Sequence, residues 1–230
     1  MNEKDRINNI YSNYYRDDAS LEKWSNEKLS NQLIEKERFQ VIKNLFHINS
    51  INLINKMVID IGCAGGNTMP ILKKFGAAEK NIHGIDLRED RLSHAKKRFP
   101  KSNFNLMDAR NIDFNDSSFD MVISFTLFSS VLNIEYRKQI AREMARVLKP
   151  RGVILYYDFR YNNPFNRNVM RVRYKDIKSL FPNMKMELTL ITVLPPLIRL
   201  FGELAEYVYP ILSKIPFLNS HHIGLIIKDD

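Results

Sequence analysis

The sequence predicts an α/β fold built on one mostly parallel sheet. Three observations lead to this prediction. Short apolar runs alternate with helical stretches over residues 57–159, which is typical of parallel strands joined by crossover helices. A glycine-rich turn at residues 62–66 directly follows the first run. Two later runs, 186–193 and 221–228, lack a strong crossover helix between them, so they can pair antiparallel.

Each predicted strand of the core is short and rich in β-branched or aromatic residues. These strands are 57–61, 82–87, 104–109, 121–125 and 153–159. The segments 68–75, 90–99 and 135–148 lie between them and suit crossover helices. Parallel strands bring their carboxyl ends to one edge of the sheet, which is where we expect a ligand.

The N-terminal part differs from this core. Residues 1–49 contain neither proline nor glycine, which favours helix. Apolar residues near helical spacing are Leu33, Ile34, Val41, Ile42 and Leu45. Tyr11, Tyr14 and Tyr15 lie on one face of the first helical segment. We expect a helical cap.

The C-terminal part also departs from the rhythm of the core. Residues 173–181 read as a helix, and residues 195–218 are apolar but interrupted by prolines, which predicts short helical pieces. This insertion could be a lid, a membrane-facing surface or a packed helix. We expect one domain over 1–230, with the cap at 1–49, the cofactor-binding core at 50–160, and the substrate side with the last strands at 161–230.

Composition excludes several classes of protein. Hydrophobic residues make up 44% and charged residues 27% of the 230 residues, which excludes a largely disordered chain. The start lacks the apolar core of a signal peptide, and no apolar run of about 18 residues predicts a membrane span. The single cysteine, Cys63, excludes an internal disulfide and a Cys-rich zinc site, and we predict no metal. We expect a cytoplasmic enzyme.

The net charge of +9 is densest towards the C-terminus. Residues 159–228 carry ten Lys and Arg against four Asp and Glu. This excess could attract phosphate or an anionic membrane, or could be a solvated surface. No zinc finger, helix-turn-helix or RNA-recognition signature accompanies it, so nucleic acid is not the expected partner. Peripheral membrane contact stays open.

The candidate ligand site begins at the turn after the first strand. Gly62, Gly65 and Gly66 follow Asp60 and precede a helix that begins near Thr68. Glycine lets a ligand approach the backbone closely. The same cluster could also be a tight turn and nothing more.

Acids follow the second and third strands as well. Asp86 ends the second strand, where a carboxylate can accept hydrogen bonds from both hydroxyls of a ribose. Asp108 follows the third strand with Ala109 beside it, where an adenine edge could be read. Each could instead be a turn residue or a helix N-cap. Together with the glycine turn, the acids predict a nucleoside-containing ligand.

These motifs, in this order, resemble those of the class I S-adenosylmethionine-dependent methyltransferases over about residues 55–160. Asp60, Gly62 and Gly66 match the family's first motif, with Ala64 in place of its middle glycine. Residues 115–125 look like its fourth-strand motif, and residues 147–159 look like the helix-turn-strand that follows.

The resemblance implies a Rossmann-like, seven-stranded, mostly parallel sheet with an antiparallel last strand. It implies S-adenosyl-L-methionine as cofactor and S-adenosyl-L-homocysteine as product. The glycine turn would meet the methionine part of the cofactor, Asp86 the ribose, and Asp108 the adenine amine. The implied cofactor-binding residues are Asp60, Gly62, Cys63, Gly65, Asp86, Leu87, Asp108, Ala109 and Ser124.

A dinucleotide-binding oxidoreductase is the main rival interpretation of the glycine turn. Its G-x-G-x-x-G pattern would place glycine at position 67 if Gly62 began it, and Asn67 stands there instead. The acid-alanine pair after the third strand also fits methyl transfer better.

The acceptor is less specified than the cofactor. A hydroxyl acceptor needs a base, for which Asp158 and His222 are candidates, with His221 as an alternative to His222. Each of these residues could instead be structural. Residues 162–165 resemble the motif of amino-group methyltransferases but follow the fifth strand rather than the fourth, so oxygen is preferred.

We therefore expect O-methylation of a sugar, a glycan intermediate or another small hydroxylated metabolite. An N- or C-methyltransferase and an RNA methyltransferase are the alternatives. A lipid-linked acceptor would account for the apolar insertion, and the basic residues would suit a phosphate or carboxylate. The basic residues in question are Arg160, Arg167, Arg171 and Arg173.

Overall fold

The computed structural model describes residues 2–14, 28–164 and 166–229. The predictions made for Tyr15 and Phe165, and for the side chain of Tyr14, lie outside these residues.

The predicted sheet is present and contains seven strands. They are β1 (Val58–Ile61), β2 (Ile82–Asp86), β3 (Asn103–Leu106), β4 (Phe119–Phe125), β5 (Leu148–Phe159), β6 (Met184–Val193) and β7 (Asn219–Lys228). Their order is β3-β2-β1-β4-β5-β7-β6. Strands β1 to β5 are mutually parallel, and β7 runs antiparallel to both β5 and β6. The expected α/β fold with an antiparallel last strand is confirmed.

Helices flank the sheet on both faces. They are α1 (Glu3–Tyr14), α2 (Leu29–Ile48), α3 (Met69–Lys74), α4 (Glu89–Arg98), α5 (Leu127–Ser130), α6 (Ile134–Val147), α7 (Tyr174–Leu180), α8 (Pro195–Arg199) and α9 (Ala205–Leu212). Successive side chains of a strand point to opposite faces of the sheet and so belong to two different cores. Val58 packs with residues of α2 to α4, and its neighbour Ile59 packs with residues of α6 and α7. Because both faces are covered, the central strands are mostly apolar, with Asp60 of β1, Ser124 of β4 and Asp158 of β5 as buried polar exceptions.

Two local features differ from the expectations. Strand β3 ends at Leu106 rather than at residue 109, and Asp108 lies in the loop after the strand, as expected. The short helix α5 was not predicted, and it begins after Thr126, whose φ of 51° is unusual for a residue with a β-branched side chain.

The insertion between β6 and β7 lies at the carboxyl edge of β5. Strand β7 begins there, because its His221 pairs with Phe159 and its Asn219 pairs with Val193 of β6. Helices α8 and α9 pack against α2 through a third, smaller apolar core. Among the described residues, no helix is both long and apolar enough to cross a bilayer.

Candidate active site

A pocket opens at the carboxyl edge of the sheet, where the strand order reverses between β1 and β4. It holds about 990 Å³ of empty space, counting the part that is open to solvent. Five of the nine predicted cofactor residues line it: Gly62, Asp86, Leu87, Asp108 and Ala109. Lining residues that the cofactor prediction omitted include Lys4, Ile7, Tyr11, Ala64, Arg88, Arg110, Phe125, Ser130 and Tyr136.

The turn after β1 presents bare backbone to the pocket. Gly62 has a φ of 77°, and a β-carbon added there would lie 3.0 Å from Leu127 Cδ1 on the opposite wall. Ala64 also has a positive φ, 45°, a conformation that glycine adopts more easily. The N–H groups of Gly62 and Cys63 donate to the carbonyl of Ile85 at 2.8 and 3.0 Å, which holds the turn against β2.

Asp86 connects this turn to the end of β2. One carboxylate oxygen accepts from the N–H of Ala64 at 2.9 Å, and the other accepts from the N–H of Arg88 at 3.0 Å. Burial raises the pKa of this carboxyl, although these two N–H groups and the nearby arginines oppose the rise. A carboxylate has about four acceptor positions, so each oxygen can take another hydrogen bond from the pocket side.

Asp108 is engaged by Arg110. The two side chains form a bidentate ion pair, with Arg110 Nη2 donating at 2.6 Å, and the guanidinium lies 3.9 Å from the centre of the Tyr136 ring. Burial would raise the pKa of Asp108, but the bonds from Arg110 outweigh it, so the pKa is lowered and the acid is charged. An adenine amine at Asp108 would therefore share the carboxylate with Arg110.

The other four predicted cofactor residues lie behind the pocket wall. Asp60 and Cys63 are buried, and the hydroxyl of Thr68 donates to Asp60. Burial raises the pKa of Asp60 to about 7. The hydrogen bond from Thr68 opposes this rise, and the charge of Asp86 adds a smaller rise. The carbonyl of Gly65 accepts from Arg98 at 2.7 Å, and Ser124 is buried within β4. These four support the turn and strand, and their direct contact with a cofactor stays a prediction.

Helix α1 closes the pocket from the side of the cap. Its Lys4, Ile7 and Tyr11 line the pocket. Arg6 Nη2 donates to the carbonyl of Ser130 at 2.6 Å, and the Tyr11 hydroxyl bonds to the Ser130 hydroxyl.

Glu3 of α1 forms a further part of the contact between α1 and the α5 region. Glu3 accepts from the N–H of Leu132, just beyond α5. Burial would raise the pKa of Glu3, but Arg6 and the backbone donors lower it overall. Contacts more than 100 residues apart in sequence thus bring α1 over the pocket.

The two predicted catalytic residues are placed differently from the expectation. Asp158 has no exposed surface and does not line the pocket. One of its oxygens accepts from the N–H of Ser129 at 3.0 Å and the other from the N–H of Phe159 at 2.8 Å, and burial raises its pKa to about 6. His222 pairs with Asp158 across β5 and β7, outside the pocket lining, and burial lowers its pKa to about 4. This placement gives Asp158 the role of holding α5.

His221 lies on the opposite face of β7 from His222. Its ring stacks on Tyr157 with centroids 4.5 Å apart and contacts Phe159 at 4.1 Å. Tyr157 in turn lies 5.4 Å from Phe125, which lines the pocket. The guanidinium of Arg38 on α2 covers the rings of Phe125 and Tyr157 at 5.6 and 5.2 Å. We call these five residues the aromatic cluster, and it adjoins the pocket beside α2.

Comparison with known proteins identifies the core of this arrangement. Residues 59–156 match the family model of a methyltransferase domain. A phthiotriol/phenolphthiotriol dimycocerosates methyltransferase of Mycobacterium tuberculosis is 33% identical over 125 residues, which cover 52% of this chain and 44% of that protein. A ubiquinone/menaquinone biosynthesis C-methyltransferase of Rickettsia typhi is 29% identical over 140 residues, covering 57% and 55%. The expected resemblance to the class I S-adenosylmethionine-dependent methyltransferases is confirmed over residues 59–156.

A solved structure has the same fold. An S-adenosylmethionine-dependent methyltransferase from Methanosarcina mazei superimposes with a TM-score of 0.58 at 18% identity, covering 82% of this chain and 97% of that one. The chain spans about half the length of the curated relatives it matches. S-adenosylmethionine is the cofactor of this methyltransferase family.

The pocket of this chain suits that cofactor. The spare acceptor positions of Asp86 can bind ribose hydroxyls, and the absent β-carbon of Gly62 leaves room between the turn and Leu127. Among residues 2–14, 28–164 and 166–229, no cluster of His, Cys, Asp and Glu is arranged to hold a metal ion. The α1 residues were not predicted because their contacts with the pocket are distant in sequence, whereas Arg110, two residues after Asp108, was not predicted because the motif names only the acid and the alanine.

Proposed function

We propose that this chain transfers a methyl group from S-adenosylmethionine to a small-molecule acceptor, with oxygen as the preferred acceptor atom. The observation that carries the proposal is Asp86, whose carboxylate joins the glycine turn to β2 while facing the pocket. The cofactor supplies a sulfonium methyl group for in-line displacement. The protein therefore has to align the acceptor with that methyl group.

The aromatic cluster is the proposed wall of the acceptor site. Phe125 belongs both to this cluster and to the pocket, so an acceptor packed against the cluster would be adjacent to the cofactor. Its rings favour an acceptor with an apolar or planar part. Arg38 adds a cation that could stabilise negative charge developing on an oxygen.

His221 belongs to the aromatic cluster, but it is buried like Asp158, does not line the pocket, and is a weak base. Burial, and secondarily the charge of Arg38, lowers the pKa of His221 to about 3, so the ring is neutral near pH 7. The hydroxyl of Ser220 bonds to its Nδ1 at 2.8 Å, which leaves Nε2 as the basic nitrogen when Nδ1 carries the proton. A base role for Asp158, His221 or His222 stays a prediction, and none of the three lines the pocket.

A carbon acceptor is the second candidate. One relative is by name a C-methyltransferase of ubiquinone and menaquinone biosynthesis, and it covers 57% of this chain. Carbon methylation needs the same alignment and a base that removes a proton from the acceptor. A cytoplasmic location belongs to the same proposal.

The test is a transfer assay with S-adenosylmethionine carrying a ¹³C-methyl group. The purified chain is incubated with fractionated bacterial extracts, and the labelled product is examined by mass spectrometry and NMR. We expect label in a small molecule, with a methyl carbon shift that identifies an O-methyl group. A carbon-bound methyl would establish the second candidate, and label in RNA alone would overturn both.

A further inference from the structure

The insertion carries large apolar side chains that are mostly exposed in the described structure. We call them the apolar patch: Leu200, Leu204, Tyr207, Ile211 and Phe217. Leu200 is 82% exposed, Tyr207 74% and Phe217 68%. Single exposed apolar residues are ordinary on a protein surface, but a concentration within 18 residues of one insertion indicates an interaction surface.

The apolar patch is distinct from the face that holds the insertion in place. Ala205 and Tyr209 of α9 are buried against α2, and the Tyr209 hydroxyl donates to Glu37 at 2.7 Å. Tyr207 and Ile211 lie on the remaining surface of the same helix, four residues apart and therefore on one side. Since α9 is apolar on both sides, packing against α2 accounts for only one of them.

A basic segment adjoins the apolar patch. Residues 160–175 contain no acidic residue, and their Arg167 and Arg171 are exposed. This segment contacts the turn that carries Phe217, because Arg160 donates to the carbonyl of Pro216 at 3.0 Å and Tyr161 donates to the carbonyl of Phe217 at 3.2 Å. We call residues 160–175 the basic loop.

We propose that the apolar patch and the basic loop together dock this chain on an anionic lipid bilayer. Apolar side chains at such an interface enter the acyl boundary, while Arg and Lys attract anionic headgroups. Glu203 and Glu206 are exposed on the insertion and oppose this attraction, but residues 159–228 carry ten basic residues against four acidic ones. The net positive charge of residues 159–228 therefore favours binding to an anionic surface.

A bilayer fits this surface better than a second copy of the chain does. A two-fold contact through the apolar patch would place the same patch on itself and bring two basic loops to one interface. That arrangement adds repulsion between like charges, whereas an anionic membrane neutralises them. Charge complementarity therefore selects the bilayer.

Docking in this orientation would turn the active edge of the sheet towards the membrane. The insertion begins and ends at the carboxyl edge of β5, the edge at which the pocket and the aromatic cluster lie. An acceptor held in the bilayer would then reach Phe125 without crossing the molecule. This consequence rests on the proposed function, whereas the docking itself does not.

Vesicle sedimentation tests the docking. The full chain is mixed at low ionic strength with vesicles of phosphatidylcholine containing roughly one third phosphatidylglycerol, or of phosphatidylcholine alone. We expect binding to the anionic vesicles and weaker binding to the neutral ones. The double variant Leu204→Ser with Ile211→Ser should bind anionic vesicles at least about tenfold more weakly. The matched control is Ile48→Ser with Ile54→Ser, two exposed apolar residues outside the insertion, and it should bind as the unaltered chain does.

A second pair of double variants tests the contribution of the basic loop's charge to vesicle binding. The double variant Arg167→Glu with Arg171→Glu should bind anionic vesicles about tenfold or more weakly than the unaltered chain does. Its binding to neutral vesicles should be unchanged. The control is Lys97→Glu with Lys101→Glu, which changes the net charge by the same amount at exposed residues elsewhere. Its binding to anionic vesicles should weaken much less.

Three outcomes would overturn the docking proposal. They are absence of sedimentation with anionic vesicles, equal losses in the matched controls, or a stable dimer that the apolar-patch substitutions dissociate. Circular dichroism and calorimetry with S-adenosylmethionine verify that each variant is folded. A chain that binds vesicles but not the cofactor would refute the proposed function and leave the docking intact.

Discussion

The cofactor side and the acceptor side of this molecule are built on different principles. The cofactor side uses residues at the ends of β1, β2 and β3, close to one another in sequence and arranged by backbone hydrogen bonds. The proposed acceptor side joins α2, the end of β5, and the insertion before β7, which are far apart in the chain. A sequence motif can therefore specify the first side, while the second depends on tertiary packing.

Two buried carboxylates show the contrast. Asp60, in β1, accepts from a side-chain hydroxyl behind the cofactor pocket. Asp158, at the end of β5, accepts from two backbone N–H groups and so fixes the position of α5. Both have raised pKa values because burial disfavours the charged form. Asp158 is the one whose loss leaves backbone groups unsatisfied.

The largest effect is expected for Asp158→Ala. The change leaves the N–H of Ser129 without its partner in a buried position and removes the negative charge nearest Arg137. We expect the free energy of unfolding to fall by about 3 kcal/mol, measured by urea denaturation. The fraction that folds should still bind S-adenosylmethionine. If Asp158→Asn instead kept stability and abolished turnover, a catalytic role for Asp158 would be established.

A smaller effect, confined to the cofactor side, is expected for Asp86→Ala. Loss of the carboxylate removes the predicted ribose acceptor, so calorimetry should show affinity for S-adenosylmethionine reduced about 10- to 100-fold. Asp113→Ala, at an exposed acid outside the pocket lining, is the control and should bind normally. Unchanged affinity in Asp86→Ala would show that the ribose lies elsewhere.

Asp60→Asn should change the dependence of stability on pH. The folded chain holds a proton on Asp60 up to about pH 7, whereas an unfolded Asp releases it near pH 4. Because the folded state binds the extra proton, the unaltered chain should lose stability as pH rises from about 4 to 7.

The asparagine variant lacks this titration. Its stability relative to the unaltered chain should therefore rise over the same interval, by about 3 kcal/mol, in thermal melts at several pH values. Glu203→Gln, at an exposed acid, serves as the control. A parallel pH profile for Asp60→Asn and the unaltered chain would contradict the raised pKa.

The smallest effect is expected for Ala64→Gly. A positive φ disfavours alanine by about 1–2 kcal/mol, and the greater freedom of glycine in the unfolded chain offsets about half of the gain. We expect stability to rise by about 0.5 kcal/mol and cofactor affinity to stay within about twofold. A clear loss of stability would mean that the alanine methyl group packs favourably at this position.

The sequence predicted which strand ends meet at the pocket because the signals for them are local. Gly62, Asp86 and Asp108 stand where strands end, and parallel strands bring those ends together. The prediction did not separate residues that line the pocket from those that support it, such as Asp60 and Cys63. That distinction depends on which way the turn points each side chain.

The acceptor side was harder to predict for a physical reason. Alternation along β5 could have placed Tyr157 and Phe159 on one face and Asp158 on the other, but the strand is buried on both faces and its residues are apolar throughout the middle. Arg38 gave no signal, because its place over Phe125 and Tyr157 depends on how α2 packs.

Helix α5 connects the two sides, and its backbone offers a way to observe each of them. The amide of Leu132, just past the helix, is bonded to Glu3 of α1, whereas the amide of Ser129 is bonded to Asp158 at the end of β5. In a hydrogen-exchange experiment the Leu132 amide should exchange whenever α1 lifts from the pocket. The Ser129 amide should exchange only when the sheet itself opens. Two amides three residues apart would thus report separately on access of the cofactor and on global unfolding.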